Sequence, residues 1–128
     1  MILAQWTYTK NEWKAFLRSS AGKNNIFKRI VHFLLSRTLK TAPIVKITPE
    51  VLWIGGDQWH FNNTTHRLKQ ISIREGNAVN MMEITYESHN NGRVSSNEIQ
   101  IPIPKGRLKE AIEVEEKLNK IRDANQQG

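Results

Sequence analysis

IQIPIPKGRLKEA, residues 99–111, is the stretch that decides the fold. Ile99, Ile101 and Ile103 alternate with Gln100 and Pro102, the period of a strand with one apolar face. Residues two apart in a strand send their amides to the same edge. Pro102 and Pro104 both lack that N–H, so one edge of this strand cannot carry a full ladder. The pattern then turns helical over 105–123, with Leu108, Ala111, Ile112, Leu118 and Ile121 as the apolar stripe. A helix placed where a strongly bent sheet opens would cover the exposed end of the core.

Upstream of this junction the texture is β from Pro43 onward. PIVKIT, EVLWI, QWHFN, RLKQISI, AVNMMEITYE and RVSSNEIQIPIP read as strands within 43–103, separated by Thr48-Pro49, Gly55-Gly56-Asp57, Gly76-Asn77 and Asn90-Asn91-Gly92. Short turns between successive strands predict antiparallel meander pairing. Trp59 and Phe61, Ile71 and Ile73, Met82, Ile84 and Tyr86, and the three isoleucines of 99–103 each fall on one face. The opposite faces are mostly polar, which predicts a sheet wet on one side.

The N-terminal third is different. ILAQWTYT (2–9) reads as a strand with Trp6 and Tyr8 on one side. Thr9-Lys10-Asn11-Glu12 has capping-box spacing and starts a helix over 10–20 whose apolar residues are Trp13, Phe16 and Leu17. After Gly22 and Asn24-Asn25, a second helix is predicted over 25–41, with Pro43 stopping it. Ile26, Phe27, Ile30, Val31, Phe33, Leu34, Leu35 and Leu39 cover most of its wheel. Lys28, Arg29, His32, Ser36 and Lys40 fill a narrow polar arc, and Arg37 alone interrupts the apolar side. That is more apolar surface than one packed face requires.

Taken together, ILAQWTYTKNEW, ITPEVLWIGG, RLKQISI and IQIPIPKGRLKEA resemble the bacterial pleckstrin-homology-like (PH-like) domains, notably the YcxB-like group, over nearly the whole chain. In that group a short N-terminal strand precedes helical, often membrane-inserted material ahead of the barrel. The resemblance implies an α+β domain spanning 1–128: an antiparallel, strongly bent sheet or partly open PH-like β-barrel, with N-terminal helices and a C-terminal capping helix. The helical insert here is a single helix, too short for paired membrane spans. The first barrel turn, Gly55-Gly56-Asp57-Gln58, lacks the basic pair with which lipid-binding pleckstrin-homology domains hold phosphoinositide headgroups.

Charge points to the same N-terminal region. The net charge is +7, yet residues 1–46 hold nine lysines and arginines against Glu12 alone, while residues 47–128 hold ten against eleven acidic residues. An electrostatic partner should therefore meet the N-terminal third. The predicted contact surface combines Lys23, Lys28, Arg29, Arg37 and Lys40 with Phe27, Val31 and Leu35. It suits self-association or a protein partner, with an anionic membrane surface and then nucleic acid as the alternatives.

Catalytic chemistry finds little footing. HExxH, GxSxG, P-loop and dinucleotide glycine patterns do not occur, and no cysteine is present to act as nucleophile, zinc ligand or disulfide partner. Asp57, His60 and His66 lie close in sequence, but only His60 and Asn62 share a strand face. Glu83 and Glu87 share a face and read as a solvated row, His32 and His89 as surface imidazoles. Trp53, Trp59 and Phe61 beside Arg67 and Lys69 have the composition of a base-stacking platform, although alternation puts Trp59 and Phe61 on the apolar side. The expectation is a non-catalytic binding or assembly module without cofactor or metal. Neither a secretory leader nor a membrane-spanning run is visible in MILAQWTYTK or beyond it, which predicts a cytoplasmic protein, on occasion membrane-associated, with idle sequons at Asn62 and Asn63.

Overall fold

The computed structural model describes residues 1–20, 43–76 and 79–127. Strand β1 (Ala4–Trp6) leads into helix α1 (Lys10–Ser20); β2 (Val45–Ile47), β3 (Val51–Ile54), β4 (Asp57–His60), β5 (His66–Arg74), β6 (Asn80–Asn90), β7 (Arg93–Ile103) and helix α2 (Leu108–Gln127) follow. The fold is α+β, and every strand pair is antiparallel. Two turns close hairpins with the backbone chemistry their residues allow. Gly55 takes φ 62° ahead of Gly56, the type II′ arrangement, and Asn91 and Gly92 take φ 52° and 79°, the type I′ arrangement.

The expected single bent sheet is instead two sheets, β1-β2-β3-β4 and β5-β6-β7, and they do not close into a barrel. The division has a local cause at each end. After β4, Asn63 folds back on itself: its Oδ1 accepts from the amides of Thr65 (2.9 Å) and His66 (2.8 Å), turning the chain out of the first sheet before β5 begins. At the other end stand Pro102 of β7 and Pro104 just past it. Pro102 lies opposite Met81 in the β6–β7 ladder, and a side chain takes its carbonyl where a strand could not pair. Tyr8 Oη donates to Pro102 O at 2.7 Å, and Trp6 Nε1 donates to Tyr8 Oη at 3.0 Å. Burial drives the Tyr8 phenol far above its ordinary pKa, so it remains a donor.

One apolar cluster lies inside. It joins Trp6, Ile47 and Leu52 of the first sheet, Leu68, Met82, Ile84, Ile99 and Ile101 of the second, Phe16 of α1 and Leu118 of α2. The predicted inward residues Phe61, Ile71 and Tyr86 are buried there too, and Trp59 and Ile73 pack against it half-buried. In β5 a bulge between Leu68 and Gln70 adds Lys69 to the strand, which returns both Leu68 and Ile71 to the core face although they are three residues apart. The Lys69 carbonyl accepts from Arg122 Nη1 of α2 at 3.3 Å.

Helix α1 matches the predicted 10–20. Its capping box is formed, with Thr9 Oγ1 accepting from Glu12 N at 3.1 Å and Glu12 Oε1 accepting from Thr9 N at 2.9 Å. Other boundaries move. The strand predicted over 2–9 shortens to Ala4–Trp6, because Tyr8 leaves the sheet to reach Pro102. The C-terminal helix starts at Leu108 rather than 105, since Gly106 at φ 85° cannot be helical, and it continues through Gln127 rather than ending at 123. On α2, Val114 joins Ala111 and Leu118 in the core, while Ile112 stays exposed because it lies about 100° around the helix from Ala111. The helix predicted over 25–41 lies outside the described residues.

Tyr8→Phe leaves two buried groups, the Trp6 indole N–H and the Pro102 carbonyl, without their partner. We expect a loss of about 1–3 kcal/mol in urea unfolding followed by tryptophan fluorescence, with the slope of the transition unchanged.

Candidate functional site

The junction between α1 and the turn that links β7 to α2 is the most constructed surface of the molecule. Glu12 serves both elements: one carboxylate oxygen closes the α1 capping box, and the other, Oε2, accepts from the Lys105 amide at 2.7 Å. Burial acts to raise the Glu12 pKa. The amides of Thr9 and Lys105, the Thr9 hydroxyl and the Lys105 ammonium outweigh it and hold the carboxyl below the ordinary glutamate value. The consequence is electrostatic. Lys10 and Lys14 of α1, and Lys105, Arg107 and Lys109 after β7, are all exposed, and the Glu12–Lys105 contact joins the two elements that carry these basic residues. Of these, Arg107 is paired with Glu110.

Between the two elements opens a cavity of about 560 Å³ lined by Tyr8, Asn11, Asn80, Ile103, Lys105 and Leu108 among others. Gly76 forms part of its wall, where a Cβ would sit 2.4 Å from the Val79 carbonyl oxygen. Among the described residues the cavity thus offers an apolar floor, two amide side chains, Tyr8, a lysine and the Glu12 carboxylate already engaged by amides. Those groups can hold an amphipathic ligand or anchor a partner's side chain, and they include no nucleophile with a neighbouring base.

The predicted contact residues Lys23, Phe27, Lys28, Arg29, Val31, Leu35, Arg37 and Lys40, with His32, lie outside the described residues. Of these basic residues, sequence reasoning missed Lys105, Arg107 and Lys109, which it counted within a nearly neutral segment. The signal that could have found them is the run KGRLK directly after the prolines. The remaining candidates disperse. His60 is exposed, and the His66 ring is held by Thr65 Oγ1 (2.9 Å) and Asn63 Oδ1 (3.1 Å). Among the described residues no three of His, Cys, Asp and Glu are grouped to hold a metal ion. Phe61 is fully buried and Trp59 packs against the core, so Trp53, with the Lys46 ammonium 5.7 Å from its ring centre, is the one of the three tryptophan and phenylalanine candidates on the outer face of the first sheet.

The outer face of the second sheet holds an acidic group that the sequence did not predict. Glu83 and Glu87 do not act as a pair: Glu87 meets Lys69 (3.5 Å) and His89 (3.7 Å), whereas Glu83 meets Arg74 (3.2 Å) and the carboxyl of Glu98. Gln100, the cross-strand neighbour of Glu83, donates Nε2 toward Glu98 (3.3 Å) and Glu83 (3.5 Å). Gln100 is only 5% exposed, and its Oε1 is enclosed without a hydrogen-bond partner. Burial and the hydrogen bond to Glu98 raise the Glu83 pKa, against the opposing pull of Arg74 and Gln100.

Two opposite pH responses follow. Because the folded-state pKa of Glu83 is raised, the native chain binds more protons than the unfolded one just above the ordinary glutamate range. Stability therefore falls as pH rises through that window, and the cost persists at neutral pH. Glu83→Gln should raise the melting temperature at pH 7 and leave it little changed at pH 4, read by circular dichroism. Glu12 behaves in the reverse sense: its contribution is present above the ordinary glutamate pKa and is lost as pH falls through its lowered folded value. Glu12→Gln should cost about 1 kcal/mol at pH 7, the scale of a capping interaction, with the difference from the parent chain vanishing in acid.

Among the described residues no helix is long and apolar enough to cross a membrane. Compared with protein-family models, with curated proteins and with solved structures, the chain matches none of them.

Proposed function

We propose that this chain is a non-catalytic binding or assembly module of PH-like architecture, and that its basic flank contacts an acidic partner surface. The order of seven strands followed by a helix packed over β5 and β1 supports the architectural part of this reading. The observation that carries the functional part is the Glu12 junction, where a hydrogen bond spanning 93 positions ties together two elements that both carry exposed lysines. A fixed set of like charges on a rigid support attracts an anionic surface and repels the same surface of a second copy. By the sequence reading, the segment 25–41 adds further basic charge and the apolar residues Phe27, Val31 and Leu35, a composition suited to insertion between lipid headgroups.

The test is co-sedimentation with vesicles of anionic or neutral lipid at low and high salt, with the solution mass measured alongside. Binding to anionic vesicles alone, weakened by salt, is the expected result. Lys105→Glu combined with Lys109→Glu should lower the partition coefficient by at least about tenfold, since each basic residue near an anionic surface contributes ~1 kcal/mol. Protein that stays in the supernatant as a dimer would move the assignment to self-association. Tight, steeply salt-dependent binding to oligonucleotides instead would move it to nucleic acid.

A further inference from the structure

β7 is the outer strand of its sheet, and among the described residues no strand lies against its far edge. Pro102 fixes which backbone groups face that edge. Its carbonyl points outward to Tyr8, so by the two-residue period of a strand the N–H and C=O of Val94, Ser96 and Glu98 point the same way. Residues 93–96 are exposed, Val94 by 57%. From Val94 to Glu98 the strand carries none of the devices that blunt an edge: no lysine, no proline and no bulge.

The side chains on the outer face of the same strand are short of something too. Glu83 and Glu98 put two carboxyl groups in contact, and Arg74 reaches one of them, Glu83. Gln100 spends its amide N–H groups on both carboxylates and keeps an enclosed carbonyl oxygen without a donor. Among the described residues, then, no strand is paired to this edge, and two carboxylates share one guanidinium.

We propose that the Val94–Glu98 edge of β7 receives an extended segment of another polypeptide as an added antiparallel strand, with a lysine or arginine opposite Glu98. Backbone pairing supplies the affinity, and the basic side chain supplies the selection by neutralising the surplus carboxylate. A second copy of β7 cannot do this. Its outer-face residues on that edge are Val94, Ser96, Glu98 and Gln100, which include no cation. The surface is opposite in sign to the basic flank and stands independently of it.

The test uses the full chain and three labelled nonapeptides in fluorescence anisotropy: alternating Thr and Lys, the same peptide N-methylated at every lysine, and alternating Thr and Glu. In the proposed register the lysines face the same side as Glu98 and their own N–H groups face β7, so methylation removes pairing while leaving the charge in place. We expect saturable binding of the first peptide and at least about a tenfold loss for each of the other two, the scale of losing charge-assisted or backbone hydrogen bonds. Glu98→Gln, and Ser96→Pro, which removes an outward N–H without touching the β6 ladder, should each weaken the first peptide with the thermal transition retained. Equal binding of the methylated peptide, an unchanged affinity in Glu98→Gln, or no binding at about 1 mM would overturn the proposal. So would a concentration-dependent dimer of the parent chain that Ser96→Pro abolishes, because the occupant would then be a second copy.

Discussion

The structure depends on how one strand edge is sealed where it cannot be paired. Pro102 in β7 and Pro104 just after it remove N–H groups that would have joined this edge to another strand, and a polar contact set replaces the missing ladder. Tyr8 takes the Pro102 carbonyl, Trp6 supports Tyr8, and Glu12 takes the Lys105 amide while still capping its own helix. A side-chain seal differs from a ladder in one respect that matters for function. It fixes two elements at a point rather than along a line, and a cavity lined by α1 and the turn after β7 opens beside that point.

Much of the fold was legible. The proline pair predicted an edge that could not be fully paired, the capping box predicted where α1 starts, and the turn residues predicted the hairpins at Gly55-Gly56 and Asn91-Gly92. Those features are local, and local chemistry can be read from a sequence. The division into two sheets was not legible, because it depends on Asn63 turning the chain away from β4, and an Asx turn looks like any polar loop until its acceptors are placed. The bulge at Lys69 had a visible sign in retrospect, the three-residue spacing of Leu68 and Ile71, which breaks a strict alternation.

The candidate surfaces were less legible for the same reason in stronger form. A charge count along the chain divided the molecule into a basic third and a neutral remainder, and the fold then carried Lys105 across that line to contact Glu12 of α1. Glu83 was paired with Glu87 along its own strand because that spacing is visible; its actual partners, Arg74, Glu98 and Gln100, come from two neighbouring strands and depend on register. Cross-strand neighbours are set by turn lengths summed over the sheet, and an error of one residue exchanges the faces.

The seal also has a temporal side. Its two principal contacts, Tyr8 to Pro102 and Lys105 to Glu12, span 94 and 93 positions, whereas β6 meets β7 through a turn of two residues. Closing so long a loop costs more chain entropy than closing a hairpin, so the meander of the second sheet assembles first and the ends of the chain are bolted to it last. Interactions made after the rate-limiting barrier govern how fast a protein comes apart rather than how fast it forms. Pro102 and Pro104 thus place the durability of the whole domain in a handful of late contacts, and the lifetime of the native state is set at that corner.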